Sequence, residues 1–537
     1  MTEAVGGLED VSSRDPSAVG VLLAPHLTNE EAFSAQAFAR EVLGTPHIDG
    51  LSAITDAAAL WGIEQGFGQP YAGDDLEHLR AADVILCLNS NIQFLHPRAA
   101  AAVIRGVERG ADLLLLDEVD QGMETWAAVW ARHLPGGRPA ALRWLCDRGQ
   151  GPGSTDQAHT ALTSPQAAEE LRARLHSSEA VAIVLSSAAI RSAEAAAMVA
   201  RVAGQVGGDA SRAAGLYVFP SGSNAFGVTD MLRAGAGGGT GAGHSAGAML
   251  SETSELRALV VVGDDLSRWI GPDRLSQVRE RLETLVAISS FTSPTTELAD
   301  VVLPMAAVGE KEGSIRTVDG RVWWNQGAVE PPGEARPLNE VLGLLGSRLC
   351  EMTRWESLEA IWEELEREVP AYANIGLSRL RSGEPGEVRT LASPDRERRT
   401  HPPEPAPPAA EPEPDRPFLL VTRHDEGSWT ADPRCQASEL LRREAKAHRQ
   451  PYCLVAPEYL AQLRIERGHR VRVSTAHGEI ELAARVSEGV PAPVVVLPSR
   501  FAELAHVALG ADEVDPRHGG VEARLEPAAI ESVAADQ

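Results

Sequence analysis

The sequence predicts an α/β protein: two interleaved parallel-sheet αβα domains followed by a C-terminal double-psi-like β-barrel. Three observations carry this. Residues 259–262 and 285–288 are short apolar strand runs, and 273–282 between them has apolar residues at helical spacing. Strand, helix, strand at that spacing is a crossover unit of a parallel sheet. The same alternation recurs from residue 19 to residue 220. From residue 416 the texture turns to β: 466–474 alternates, turns at His477-Gly478, and returns as 479–486, a hairpin with two-residue sidedness.

The elements follow in order. Residues 19–24 form a strand, and 31–43 a helix that Thr28 or Asn29 can cap, with Glu31 placed for a capping box. Residues 76–82 form a short helix, 83–88 a buried strand, 98–109 a helix and 111–116 a strand ending at Asp117. Residues 169–175, 180–185 and 192–203 give helix, strand, helix, and 216–220 a further strand. The run 234–247 is glycine-rich but has no lysine, so it is a flexible loop and not a phosphate loop. Residues 300–304 form a strand stopped by proline, 310–337 a polar loop, and 340–354 and 356–368 closing helices. The barrel begins with the strand 418–423, includes a helical turn or two over 457–464, and has a buried strand at 493–497. The expected organisation is a disordered 1–17; a first αβα domain from 18–54 and 245–380; a second from 55–244; a Pro/Glu-rich semi-rigid linker over 381–415; and the barrel over 416–537.

The net charge of −27 argues against nucleic acid and against an anionic membrane surface. The acidic, polar start has no basic–apolar leader pattern and no twin arginine, and no apolar run approaches the ~20 residues of a membrane helix. The expectation is a cytoplasmic protein without direct membrane insertion. The five cysteines (Cys87, Cys146, Cys350, Cys435 and Cys453) are far apart, with no CxxC or CxxxC, so each reads as a small buried hydrophobe and none as a cluster or zinc ligand.

Several strings are more specific than a fold requires: TSPTTELADVVLPM at 292–305, GEKEGSIRTVDGRVW at 309–323 and AVEPPGEARPLNEV at 328–341. They resemble the molybdopterin oxidoreductase superfamily, whose members typically read "TETAELADVVLPA", "EKDGTFTN" and "AVEPPGEARPDW". Formate dehydrogenases, nitrate reductases and the large iron–sulfur subunit of NADH-quinone oxidoreductase belong to it. The string from Tyr217 to Met231 is closest to that last subunit. The resemblance implies that the barrel is like the dinucleotide-binding barrel that ends this superfamily. It also implies that the usual N-terminal iron–sulfur segment is absent and that this chain holds no iron–sulfur cluster.

The residues that would carry chemistry depart from the pattern. Formate dehydrogenases typically read D-x-C-x-R-V-C-H-S after the first helix, with cysteine or selenocysteine on the metal. Here Thr55 falls on the ligand position and Asp56 on that of the histidine. A threonine hydroxyl is a poor ligand where a soft thiolate is usual; Asp56 or Ser52 are the oxygen alternatives. Gly-Ser-Asn-Pro becomes Asn89-Ser90-Asn91-Ile92, and Asp-Pro-Arg becomes Asp117-Glu118-Val119. In 133–139, Gly136 is kept while Arg138 or Pro139 replaces an aspartate, and His506 replaces a barrel asparagine. The reading is therefore no catalytic residue and no metal ligand. If a cofactor pocket is retained, its contacts are Ser90, Asn91, His96, Asp117, Gly136, Gly263, Thr422, Arg423 and His506. The favoured expectation is a non-catalytic subunit of a complex I-like peripheral arm, with no cofactor, beside iron–sulfur and flavin subunits. The alternative is an active formate dehydrogenase-type subunit with a bis-molybdopterin guanine dinucleotide and molybdenum or tungsten, in which Arg321 and His96 contact substrate or pterin. A third option is a solitary cofactor carrier.

Overall fold

The computed structural model describes residues 1–67, 75–88, 92–120, 122–146, 162–190, 192–206, 215–234, 243–350, 357–388, 412–423, 435, 437–447, 450–459, 469–499, 501, 504 and 526–532. They fall into two compact units. The first takes in Met1–Ala57 and Pro220–Asp395; the second takes in Ala58–Phe219 and the C-terminal barrel.

The first unit is built on a five-stranded parallel sheet in the order β10-β9-β8-β1-β2. Its strands are β1 (Val19–Leu23), β2 (Ile48–Gly50), β8 (Ala258–Val262), β9 (Thr284–Ser289) and β10 (Val301–Pro304). Alternate residues go to opposite faces, as the pleat requires. Val21, Leu23, Val260, Val262, Val286 and Ile288 join one core. Leu22, Leu259, Val261 and Leu285 join the other. Both faces are thus buried, which is why these strands read as unbroken apolar runs. The helices Asn29–Ala37, Leu338–Leu349 and Leu358–Glu368 contribute to the first core. The helix Pro272–Arg281 covers the second face through Leu275 and Val278.

Two stretches differ from expectation here. Residues 1–17 are not disordered: Thr2–Arg14 is a helix that buries Ala4, Leu8 and Val11. Those three residues, spaced four and three apart, are the signal that the acidic composition hid. The polar stretch 310–337 is not all loop. Gly313–Arg316 (β11) and Arg321–Asn325 (β12) form an antiparallel hairpin turning at Asp319-Gly320, and Gly386–Glu387 (β13) adds to it. The chain also rejoins this unit at Pro220 rather than at 245, because Ala225–Ala234 is a helix packed on the Asn29–Ala37 helix.

The strings that looked like family wording meet in one buried network. Thr28 caps the Asn29–Ala37 helix and Glu31 completes the capping box. Lys311 Nζ donates to both Glu31 oxygens at 2.7 Å, with both side chains buried. Asn224 Nδ2 donates to Leu27 O at 2.7 Å and to Asn29 Oδ1 at 3.0 Å, while its Oδ1 accepts from Arg316 N at 2.7 Å. Arg316 Nη1 and Tyr372 OH both donate to Asp230. These residues are specific because buried polar groups must be paired to be tolerated; their work is to hold the hairpin on the helix.

The second unit has its own parallel sheet, β5-β4-β3-β6-β7. Its strands are β3 (Val84–Leu88), β4 (Asp112–Asp117), β5 (Val129–Arg132), β6 (Val181–Ser186) and β7 (Gly215–Phe219). Leu86, Leu114, Ile183 and Val218 share a core with the helices Arg138–Cys146 and Ala193–Val206. The same unit holds a closed six-stranded barrel, β14-β18-β15-β17-β16-β19. These strands are β14 (Phe418–Arg423), β15 (Tyr452–Val455), β16 (Arg470–Ser474), β17 (Glu479–Val486), β18 (Val494–Pro498) and β19 (Glu526–Ser532). β14 runs parallel to β18 and β15 parallel to β17; the other pairs are antiparallel. Cys87, Cys146 and Cys453 are buried as expected of small hydrophobes, whereas Cys350 is exposed and Cys435 intermediate. No described helix is long and apolar enough to cross a membrane.

Candidate cofactor-binding site

In the first unit, Thr55 and Asp56 lie on the opening turn of the helix Ala53–Phe67. Asp56 is buried and accepts from Ser221 twice, from N to Oδ2 and from Oγ to Oδ1, both at 2.8 Å. The Thr55 hydroxyl lies 3.1 Å from Ser221 Oγ and donates to Ser52 O at 3.3 Å and Asp56 Oδ1 at 3.4 Å. Gly222 follows with φ +135, and a Cβ there would sit 2.6 Å from Pro25 Cβ. The side-chain atoms of the knot are all oxygen, neutral apart from one carboxylate that already accepts from Ser221 N, Ser221 Oγ and the Thr55 hydroxyl. Such a set does not fit a soft metal centre that wants thiolate. Among the described residues no group of three His, Cys, Asp or Glu is placed to hold a metal ion.

Gly263 ends β8 at φ +84, and a Cβ there would meet Ala24 at 3.0 Å, so the glycine is a backbone necessity. The carboxylates that follow are spent on structure: Asp264 takes Arg268 and Trp269, and Asp265 takes Ser267 and Thr295. Arg321 sits in the hairpin, its guanidinium 4.0 Å from Asp319.

In the second unit, the ends of β4 and β5 make a different kind of place. Asp117 is buried at the end of β4, and its carbonyl accepts from His133 N at 3.2 Å. His133 is fully buried, and its Nδ1 donates to Leu134 O at 2.8 Å. Burial, with the Arg138 cation nearby, pushes His133 down to about 3, so the ring is neutral and Nε2 is a lone-pair acceptor. That Nε2 has no hydrogen-bond partner among the described residues. The turn then passes Gly136, at φ +74, and opens the helix Arg138–Cys146. Arg138 is 7% exposed, yet its Nε and Nη2 have no hydrogen-bond partner among the described residues. Its nearest anion is Glu118, with Nη2 3.7 Å from Oε1, an ion-pair distance but too long for a hydrogen bond. Burial raises Glu118, and Arg138 partly offsets that.

The barrel reaches the same loop. Arg423 pairs with Asp120, donating to its carboxylate and, at 2.6 Å, to its carbonyl. Val119 packs with Val421, Tyr452 and Val496. Thr422 is exposed beside it. His96 is half-buried with its ring 4.9 Å from Phe219. The structure therefore places Asp117, Gly136, Thr422 and Arg423 on the strand ends and barrel of one unit, and Gly263, Thr55 and Asp56 in the other. Ser90, Asn91 and His506 lie outside the described residues. Sequence reasoning passed over His133 and Glu118 as candidates and treated Arg138 only as a loss. The available signal was that an acid appears at 118 while a base appears at 138.

Buried, unsatisfied donors and acceptors are rare in folded proteins, and their clustering here fits a polar, partly anionic group such as a dinucleotide. The residues present thus fit a dinucleotide at the β4–β5 ends, while the Thr55 knot does not fit a protein-to-metal bond.

Known proteins resemble the chain along its length. Residues 167–348 match the family model for molybdopterin oxidoreductase, and residues 418–525 that for the molydopterin dinucleotide binding domain. The F420-dependent formate dehydrogenase 1 subunit alpha of Methanococcus maripaludis is 23% identical, over 93% of this chain and 84% of its own. The NADPH-Fe(3+) oxidoreductase subunit alpha of Geobacter sulfurreducens is also 23% identical, over 70% of this chain and 50% of its own. Among solved structures, acetylene hydratase from Pelobacter acetylenicus superposes with a TM-score of 0.73 at 14% identity, covering 99% of this chain and 88% of that one. The expectation of no cofactor is overturned by these matches: the barrel is of the dinucleotide-binding kind, and the chain-long relatives are formate dehydrogenase alpha subunits. The favoured placement in a complex I-like arm is likewise unsupported, and the formate dehydrogenase alternative is the better backed. The chain thus has a fold like that of acetylene hydratase, and it matches the molybdopterin oxidoreductase model over residues 167–348 and the molydopterin dinucleotide binding domain over 418–525.

Proposed function

We propose that this chain is the pterin-dinucleotide-holding subunit of a formate dehydrogenase-type oxidoreductase, working beside iron–sulfur partner subunits. The observation that carries the reading is the length of the likeness. A formate dehydrogenase alpha subunit aligns over 93% of this chain and 84% of its own. A molybdenum or tungsten pterin dinucleotide, when bound, supplies the two-electron redox centre. This chain's own part is to bind and orient it. The Arg138 edge and His133 Nε2 offer buried donors and an acceptor. Asp120 and Arg423 fix the barrel against the loop that carries Glu118. Gly136 gives the backbone a left-handed turn between β5 and the Arg138–Cys146 helix.

The Thr55 knot favours a second reading within the same family: a subunit that holds the cofactor without turning over formate. Thr55 offers a neutral hydroxyl already bonded to its neighbours, and Asp56 is committed to Ser221. One experiment separates the two. The protein is purified from its own host with its partners and tested for formate-dependent reduction of a viologen dye. Reduction supports the enzyme reading. Bound pterin without reduction, in a complex whose iron–sulfur subunits accept electrons from dithionite, supports the holding role.

A further inference from the structure

Three arginines meet at the amino ends of β8 and β9, in a chain whose net charge is −27. Arg257 directly precedes β8, and its Nη1 donates to Arg281 O at 3.4 Å. Arg281 ends the helix Pro272–Arg281, just before β9. Its Nη1 donates to Ser251 O at 2.6 Å and to Glu252 O at 2.9 Å. Arg274 lies two turns earlier on the same face of that helix. It donates from Nε and Nη2 to Leu250 O, at 3.2 and 3.1 Å, and from Nη1 to Glu252 Oε1 at 2.8 Å and Gln277 Oε1 at 3.0 Å. The guanidinium groups are thus drawn together around the carbonyls that close the short helix Ala246–Leu250.

The arrangement leaves both charge and donors over. Burial, then the Arg274 cation, lowers the Arg281 guanidinium; Arg257 adds to this and Glu252 opposes it. Glu283, whose N–H bonds Arg257 O at 2.7 Å, already has its carboxylate paired with Arg14. Three positive charges therefore face one negative. Arg274 has used every nitrogen it has. Arg281 and Arg257 bond through Nη1, and Nε and Nη2 of each make no hydrogen bond among the described residues. On a guanidinium those two groups put N–H donors side by side on one edge, a fork that matches two oxygens of an oxyanion. Arg257 is exposed and Arg281 half-buried, so both forks are open to a ligand from solvent.

We propose that Arg257 and Arg281 form a binding site for a phosphate group, free or carried by a small molecule. Two uncompensated positive charges match a dianion, and two forks call for more than two oxygens. A carboxylate brings two oxygens and one charge, and leaves one fork empty. An acidic protein face fits less well. Glu255, Asp273 and Glu280, each within two residues of one of the arginines, are exposed acids that repel it. The site is also separate from the place of a cofactor. Ligands of open parallel sheets lie at the carboxyl ends of the strands. These arginines lie at the amino ends, about 16 Å from Gly263 along the five residues of β8. The inference does not rest on the function proposed above.

The test uses the full chain purified from its own host, titrated with inorganic phosphate, glycerol 3-phosphate or poly-glutamate against potassium chloride at equal ionic strength. Melting temperature and hydrogen exchange of residues 250–257 and 274–281 are read together. A saturable rise in Tm with phosphate, and slower exchange centred on those segments, is the expected result. Equal binding of the two phosphates identifies the free ion as the ligand; preference for the ester identifies a phosphorylated small molecule. Arg257→Gln removes one fork at an exposed position. It should keep the wild-type Tm in chloride and weaken phosphate by about ten-fold or more. Arg281→Lys keeps the charge, removes the other fork and should weaken it by a similar factor; if that variant fails to fold, Arg257→Gln decides. The proposal is overturned if phosphate raises Tm no more than chloride does. It is overturned equally if Arg257→Gln shows the wild-type rise, which is then the general effect of an excluded salt. Poly-glutamate that binds more tightly than either phosphate, and loses that binding in Arg257→Gln, also overturns it and makes the patch a docking face for an acidic protein.

Discussion

Glu30 gives the sharpest test of how the first unit is held together. It is fully buried at the start of the Asn29–Ala37 helix. Its Oε2 accepts from Ser314 N at 2.8 Å, and its Oε1 has no hydrogen-bond partner among the described residues. Burial pushes the carboxyl up from 4.5 to about 7, against the smaller lowering effects of its hydrogen bonds. At about 1.4 kcal/mol per unit, such a rise corresponds to about 3 kcal/mol between the protonated and ionised forms. The folded state holds the proton more tightly than the unfolded chain. Glu30's contribution to stability is therefore full below the unfolded value near 4.5 and is lost as pH rises through about 7. Glu30→Gln mimics the protonated form at every pH. Its carbonyl keeps the Ser314 bond. The variant should exceed wild type by about 1 kcal/mol or less at pH 5 and by about 3 kcal/mol at pH 8. The assay is urea unfolding at both pH values, with hydrogen exchange of the Asn29–Ala37 amides to report this unit separately. A variant equally destabilised at pH 5 and pH 8 would refute the reasoning, because it would show that the carboxylate, not its burial, matters.

Other predictions concern neighbouring groups. Lys311→Met strands Glu31 as a buried, uncompensated charge and should cost about 3–5 kcal/mol by urea unfolding; pairing it with Glu31→Leu should recover much of that. Asp56→Ala removes the acceptor of both Ser221 donors and should lower stability by about 2–3 kcal/mol, whereas Thr55→Ala should cost about 1 kcal/mol, read as Tm. Gly263→Ala forces a side chain into φ +84 and 3.0 Å from Ala24 Cβ, and should cost about 1–3 kcal/mol in the same measurement.

The parallel sheets were legible because both faces of their inner strands are buried, so those strands read as apolar runs between glycines and acids. The Thr28 and Glu31 capping box was legible because its parts lie three residues apart. What was not legible is contact across sequence. Lys311 and Glu31 are 280 residues apart, and nothing in either string shows that one neutralises the other. The EKEGSIR and LTNEE strings were recognisable as wording before they were understandable as one buried network. The hairpin of β11 and β12 was hidden because its residues are polar, although Asp319-Gly320 is a turn signal. At the candidate site, the losses at Asn89, Val119 and Pro139 were read one at a time, and their sum looked like decay. Arg138 and Glu118 regain meaning only when the fold brings the ends of β4 and β5 together.

Holding a pterin dinucleotide is the property proposed for this chain. Its most direct test is the pterin and guanine nucleotide released by acid from protein purified from its own host, with molybdenum and tungsten measured on the same sample. Near-stoichiometric pterin, nucleotide and one of the two metals is the result expected. Folded protein that co-purifies with its partners yet releases neither pterin nor nucleotide would contradict it.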